Sequence, residues 1–121
     1  MAHQIFPRPV AWIGSSKKDF YAFPDEVQAE MGYALYLAQT GERHHKTKML
    51  TGLHPSVIEI LESYHGDTYR TIYTVKFSSV IFVLHAFQKK SKSGIKTPKF
   101  EIETIRQRLR EAEEWMKGHA S

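Results

Sequence analysis

The sequence predicts a small α+β domain in which helices cover an antiparallel-type sheet. The strongest observation is a pair of runs rich in Tyr, Ile, Thr, Val and Phe on either side of Ser78-Ser79, a pattern typical of a β-hairpin. Apolar residues recur at helical spacing both before and after this hairpin. A chain of 121 residues, 41% of them hydrophobic, can bury one core. We therefore expect a single domain over residues 1–121, with the element order β-α-α-β-β-β-α.

The N-terminal third predicts one strand and two helices. The short apolar run over residues 9–14 is compatible with a first strand. Ser16 and Asp19 have the spacing of a capping box, which predicts a short helix that Pro24 ends. A longer helix starts at Pro24, because proline suits a first helical turn, and Gly41 is a natural stop. Its apolar stripe consists of Val27, Met31, Ala34, Leu35 and Ala38.

The middle of the chain predicts a loop and three strands. Residues 42–55 lose periodicity and gain charge, which indicates a connecting loop. Residues 57–64 predict a strand, and Gly66-Asp67 predicts the turn into the hairpin. In the first hairpin strand, alternation places Arg70 on the face opposite Tyr73, and one face is expected to be covered and the other half exposed. The second hairpin strand is apolar on both faces apart from His85, as expected of a central strand.

The C-terminal part predicts a closing helix. Thr97 suits the N-cap and Pro98 the first helical position. The apolar stripe of this helix consists of Ile102, Ile105, Leu109, Ala112 and Met116. This helix is expected to pack on the sheet or on the pair of N-terminal helices.

The charge distribution is uneven along the chain. The formal net charge is +4 and the pI is about 9.3, which favours nucleic acid or an acidic protein as partner. Lys89, Lys90 and Lys92 follow the second hairpin strand closely enough to repel one another. They fit the mouth of a site that receives an anion, although a solubilising loop has the same composition.

Several classes of site are excluded or disfavoured. The chain has no cysteine, which excludes disulfides, thiolate metal ligands and cysteine nucleophiles. None of its seven histidines has the spacing of a metal motif, so we expect neither metal nor cofactor. The first residues lack the apolar core of a secretory signal, and no run has membrane-spanning length. We expect a cytoplasmic protein without membrane contact.

Three stretches together resemble the phage-derived branch of the RelE/HigB toxin family. They are Tyr69-Arg70, the run VLHAFQKKSKSGIKTP from Val83 to Pro98, and the closing helix EIETIRQRLREAEE from Glu101. The resemblance covers about residues 10–114. It implies a fold similar to small microbial ribonucleases and cleavage of messenger RNA in the ribosomal A site. It also implies a cognate antitoxin, which in the HigB branch is usually a helix-turn-helix (HigA-like) DNA-binding protein.

Metal-free RNA cleavage needs a base for the 2′-OH proton, cations for the phosphorane and an acid for the 5′-oxygen. Arg70 suits the second role, because its planar guanidinium can hold two phosphate oxygens and stays charged. Lys89 and Lys90 can add to this stabilisation, and a cation cluster that lowers the pKa of one of them would make it a base or an acid. His85 has the ordinary pKa best suited to proton transfer, and it is otherwise a core histidine with a satisfied hydrogen bond.

Other residues are candidates for RNA contact. Lys46 and Lys48 in the predicted loop, together with Lys92, could contact the phosphate backbone, and their alternative is an ordinary solvated charge. Tyr73 could stack on a base, although tyrosines in strands usually pack. In the strand VIEILE, many relatives resemble an E-L-R pattern whose arginine position is Leu61 here, so one phosphate ligand is missing. Glu59 is retained, and we expect it to pair with Arg70 or a lysine.

The sequence therefore predicts a RelE/HigB-like toxin that cleaves ribosome-bound messenger RNA by metal-free 2′-OH attack. Two alternatives stay open. The first is a ParE-like poison of DNA gyrase that has no nuclease activity. The second is an RNA-binding phage accessory protein whose catalytic site has decayed, which the departure at Leu61 favours.

Overall fold

A five-stranded sheet with helices on both faces forms the described part of the computed structural model, which covers residues 7–89 and 97–119. The elements in chain order are β1 (Val10–Trp12), α1 (Ser16–Phe20), α2 (Asp25–Gln39), β2 (Thr47–Met49), β3 (Val57–Tyr64), β4 (Asp67–Thr74), β5 (Ile81–Lys89) and α3 (Lys99–His119). Among these residues, no helix is both long enough and apolar enough to cross a lipid bilayer.

The strand order is β1-β5-β4-β3-β2, with β1 parallel to β5 and the other neighbours antiparallel. The predicted α+β class is confirmed, and so is the placement of β5 between two neighbours. The strand β2 is an addition, since it lies in the segment predicted as a loop. Its three residues are too short and too polar to show a period, and they take their register from β3 through pairs such as Thr47 with Ile60.

Helices α1 and α2 cover one face of the sheet. All five residues of the predicted α2 stripe are buried. The start of α1 differs from the prediction, because the residue bonded to Asp19 is Ser15, whose Oγ donates to Asp19 Oδ2 at 2.7 Å. Ser16 instead lies inside the helix and is buried, where its hydroxyl donates to the Val83 carbonyl at 3.0 Å. A buried hydroxyl needs such a partner, so Ser16 anchors α1 to β5.

Helix α3 covers the other face. Ile105, Leu109 and Ala112 pack with Ile72 and Leu84 of the sheet in one buried cluster. The prediction that one face of β4 stays half exposed is therefore wrong, because α3 covers that face as well. Polar residues that point toward α3, including Arg70, are consequently removed from water.

The β4–β5 hairpin is closed by residues 75–80, a longer connection than the predicted Ser78-Ser79 pair. Farther along, the register shifts by one residue: Ile72 pairs with His85, but Tyr73 pairs with Val83. This β-bulge inserts one extra residue into β5 and re-aims its side chains. Leu84 packs in the α3 cluster and His85 bonds to α3, so both face the closing helix.

Candidate functional site

A buried ion pair lies at the centre of the α3-facing side of the sheet. Arg70 Nη1 donates to Glu59 Oε2 at 2.6 Å, and the two side chains are 2% and 0% exposed. The pair forms because Arg70 sits opposite Leu61 in the β3–β4 ladder, which places Glu59 two residues along the same face. Two charged side chains that are buried away from water are tolerated in a protein only when they are paired in this way.

Residues on two neighbouring segments also contact this ion pair. On β2, Lys48 Nζ lies 3.6 Å from Glu59 Oε1, and the lysine side chain is 58% exposed. Just before α3, Thr97 Oγ1 accepts a hydrogen bond from Arg70 Nη1 at 3.3 Å and lies 3.4 Å from Glu59 Oε2. We call Lys48, Glu59, Arg70, Lys89 and Thr97 the Arg70 cluster. Three cations thus converge around one carboxylate, which leaves an excess of positive charge.

Lys89 at the end of β5 completes this cluster. It lies two residues after Phe87, which packs on the α3 side, and it is itself buried. Burial lowers the pKa of the Lys89 ammonium, and the nearby positive charges of Arg70 and Lys48 lower it further against the opposing effect of Glu59. Lys89 therefore releases its proton more readily than an ordinary lysine does.

A cavity of about 450 Å³ opens beside the cluster, between β2 and the start of α3. Its polar lining consists of Lys48, Glu59 and Thr97 together with Thr51, and Met49, Leu50 and Ile102 form an apolar wall. A volume of this size lies within the range of about 300–1,000 Å³ that is usual for small-molecule sites. A charged floor with an apolar wall can receive a phosphate and its attached base.

His85 belongs to a different network. Its Nε2 lies 2.6 Å from Glu101 Oε1, and its Nδ1 lies 3.2 Å from Arg108 Nη1. Because arginine can only donate, Nδ1 accepts and Nε2 donates to the carboxylate. The ring also stacks on Phe87 at 4.8 Å. His85 thus has both hydrogen bonds satisfied, ties α3 to β5, and makes no hydrogen bond to a described residue of the Arg70 cluster.

The remaining predicted RNA contacts are dispersed. Lys46 forms ion pairs with Glu62 at 2.9 Å and Glu30 at 3.7 Å, and the hydrogen bond to Glu62 raises the pKa of the lysine. Tyr73 is fully buried in the cluster formed with α2, on the opposite face from Arg70, so its ring cannot stack on a base in this structure. Lys90 and Lys92 lie outside the described residues.

Glu59 is the functional candidate that sequence reasoning assigned only a structural role. Its position in VIEILE carried a signal, because its neighbours on the same face of the strand, Val57, Leu61 and Ser63, are uncharged. The structure shows that Glu59 is fully buried among them. Leu61 lies directly across from Arg70, so the arginine of the E-L-R pattern would stand beside Arg70. Leucine at this position supplies no cation to this face.

Within residues 7–89 and 97–119, no group of three or more His, Cys, Asp or Glu side chains could hold a metal ion. The described cluster contains a carboxylate, a guanidinium and two ammonium groups, which can transfer protons and stabilise negative charge.

Comparisons with known proteins gave a family and a likeness to solved structures. The family model "Phage derived protein Gp49-like (DUF891)" matches residues 18–110. A search of curated protein sequences found no significant match. Among solved structures, the chain is similar to one from the RelBE2 toxin–antitoxin complex of Mycobacterium tuberculosis, with 13% sequence identity and a TM-score of 0.49 over 74% of this chain and 100% of the other.

Proposed function

The chain belongs to the Gp49-like family of phage-derived proteins, and from this premise we propose that it is the toxin of a toxin–antitoxin pair and an endoribonuclease that cleaves messenger RNA. The membership confirms the phage-derived family that the sequence motifs indicated. The observation that carries the proposed activity is the buried Glu59–Arg70 pair with Lys89 beside it, at a cavity large enough for a nucleotide.

The proposed reaction is attack of the ribose 2′-oxygen on the adjacent phosphorus. The P–O bond to the 5′-oxygen breaks, which leaves a 2′,3′-cyclic phosphate and a 5′-hydroxyl end. Negative charge accumulates on the non-bridging oxygens of the phosphorane. We assign Arg70 and Lys48 the role of stabilising this charge, and the buried setting of Arg70 strengthens its effect because water does not screen it.

Two proton transfers complete the reaction. Glu59 Oε2 is held by Arg70, while Glu59 Oε1 accepts no hydrogen bond from any residue in the described part of the chain. We assign Glu59 Oε1 as the base that removes the 2′-OH proton, after Lys48 moves from Glu59 toward the phosphate. Lys89, whose pKa is lowered, is assigned as the acid that protonates the 5′-oxygen.

The role of Lys89 predicts a particular pH dependence. An acid must carry its proton, so cleavage falls as pH rises through the pKa of Lys89 in the folded protein. Because this pKa is lowered, the alkaline limb of the pH–rate profile lies below that of an ordinary lysine. In Lys89→Arg the alkaline limb is expected to disappear from the accessible range, since arginine does not deprotonate there. An unchanged alkaline limb in this variant would rule out Lys89 as the acid.

The same shift predicts how stability responds to pH. Consider pH values between the pKa of Lys89 in the folded protein and the ordinary lysine pKa. In this window Lys89 is protonated in the unfolded chain and largely deprotonated in the folded protein, so the free energy of unfolding rises with pH. At neutral pH Lys89 is protonated in both the folded and the unfolded protein, so the free-energy cost of burying its charge is fully present. Lys89→Met is therefore expected to stabilise the protein at neutral pH and to flatten this rise, as denaturant titrations from pH 7 to 10 would show.

The proposed partners follow from the resemblance of the sequence to the RelE/HigB toxin family. A cognate antitoxin of the helix-turn-helix, HigA-like type would hold the toxin inactive, and messenger RNA on the ribosome would be the substrate in the cytoplasm. The net charge of +4 is compatible with both an acidic protein and RNA as partner.

Expression of the chain alone in a bacterial host, with mapping of messenger RNA 5′ ends, tests the proposal. A triple variant with Arg70, Lys89 and Lys90 replaced by alanine should be inactive, while Arg106→Ala with Arg110→Ala, two exposed α3 cations, should stay active. Growth arrest with new cleavage sites in translated regions supports the nuclease. Arrest with intact messages would instead favour a gyrase poison, and no arrest by soluble, folded protein would favour a decayed RNA-binding module.

A further inference from the structure

A second cavity lies on the opposite face of the sheet from the Arg70 cluster. Its volume is about 250 Å³, and it lies between the end of α2, the residue Pro55 before β3 and the end of β4. Its charged or hydroxyl-bearing lining residues are Arg8, Glu42, Arg43 and Tyr73. The cavity is smaller than the roughly 300–1,000 Å³ of sites for whole small molecules, so a compact group fits it best.

Tyr73 is one of the lining residues, and its side chain is completely buried. Its hydroxyl has no hydrogen-bond partner among the described residues. Thr47 is close, but its hydroxyl donates to the His44 carbonyl at 2.6 Å and does not meet hydrogen-bond geometry with Tyr73. Burial raises the pKa of Tyr73 to about 12, although the positive charges of Arg43 and Arg8 oppose the shift. The phenol therefore keeps its proton and is a donor at neutral pH.

The two arginines bring charge that no described carboxylate neutralises within 4.0 Å. Arg8 is fixed in place, because it donates to the Phe77 carbonyl at 3.0 Å and to the Ala38 carbonyl at 2.7 Å. Those neutral acceptors use two of its five N–H groups and leave its charge uncompensated. Arg43 is exposed and lines the cavity, and Glu42 is the one acidic residue of the described lining.

We propose that this cavity binds an oxyanion of phosphate size, held by the Tyr73 hydroxyl and the guanidinium groups of Arg8 and Arg43. A tetrahedral oxyanion offers several acceptor oxygens to three donor residues that line one cavity, and its charge balances the two arginines. The site is separate from the Arg70 cluster, since the sheet lies between them. The proposal does not depend on nuclease activity.

Inorganic phosphate is the probe, and the midpoint of thermal unfolding is the measurement. All proteins carry Lys89→Met to weaken phosphate binding at the Arg70 cluster. Phosphate that binds only the folded state raises the midpoint in a concentration-dependent way. Tyr73→Phe and Arg43→Gln are each expected to weaken the apparent phosphate affinity at least tenfold, and Glu42→Gln is expected to strengthen it. Arg110→Gln, an exposed arginine on α3, is the matched control and should change nothing.

Tyr73→Phe separates this proposal from a purely structural role. If the hydroxyl only bonds a buried water, the variant lowers the midpoint equally with and without phosphate, and the proposal is overturned. A phosphate response that is identical in all variants would overturn it too. A short 2′-O-methyl RNA distinguishes the sources of the anion. If Arg43→Gln weakens RNA binding and reduces its salt slope by about one, the anion is a backbone phosphate; if RNA binding is unchanged while the phosphate response is lost, it is a free phosphate.

Discussion

Arg70→Met is expected to lower RNA cleavage by about 10²–10³-fold, the loss typical when one preorganised donor to a developing oxyanion is removed. Arg70 is held by Glu59 at 2.6 Å and is 2% exposed, so its position is fixed before substrate binds. Arg70→Lys keeps the charge but loses the planar, two-pronged donor. Compared with Arg70→Met, we expect Arg70→Lys to restore more of the folding stability than of the cleavage activity. Single-turnover cleavage of ribosome-bound message by purified protein would measure both losses.

Stability must be separated from catalysis in these variants. Removal of one partner of a buried ion pair typically costs about 3–5 kcal/mol, because the other charge stays buried and uncompensated. That cost is a large part of the roughly 5–15 kcal/mol that stabilises a domain. The double variant Glu59→Gln with Arg70→Met replaces both charges and should regain much of the stability without regaining activity. Substantial cleavage by this double variant would contradict the assigned role of Arg70. Substantial cleavage by a well-folded Arg70→Met would contradict it too.

The helices and the long strands could be predicted from the sequence because each carries a local signal, which is a helical period, an alternation or a continuous apolar run. The α2 stripe from Val27 to Ala38 and the alternation around Arg70 need no knowledge of the rest of the chain. The strand β2 could not be predicted, since its three residues are ordered by pairing with β3 and not by any local pattern. The β-bulge at Leu84 and His85 is equally invisible, because it depends on the ladder with β4.

The candidate site was predictable in part, for the same reason. Arg70 and Lys89 stand out as cations at strand positions, and both lie in the cluster. The separation of His85 from this cluster depends on Glu101 and Arg108, which α3 brings from sixteen or more residues away. The burial of Tyr73 depends on α2 covering its face. Tertiary contacts decide these roles, and one sequence does not reveal them.

Glu59→Gln is expected to lower cleavage by about 10²–10⁴-fold, the usual contribution of a positioned general base. The amide has the same shape and can still accept a hydrogen bond from Arg70, but it cannot take the 2′-OH proton. A Glu59 that only positions Arg70 would leave most of the activity in place, because the amide keeps the contact with Arg70. Glu62→Gln is the matched control, since Glu62 lies on the same strand and is ion-paired with Lys46 instead.

The chemical ends of the RNA products and the response to substrate analogues test whether Glu59 is the general base. If Glu59 removes the 2′-OH proton, RNA with a 2′-O-methyl group at the scissile position must resist cleavage, and the normal product must carry a 2′,3′-cyclic phosphate. Glu59→Asp, with a shorter carboxylate, should retain part of the activity. If Glu59→Gln is well folded and keeps most of its activity, Glu59 only positions Arg70. The base would then lie elsewhere, while the roles of Arg70 and Lys89 at the phosphate would be unaffected.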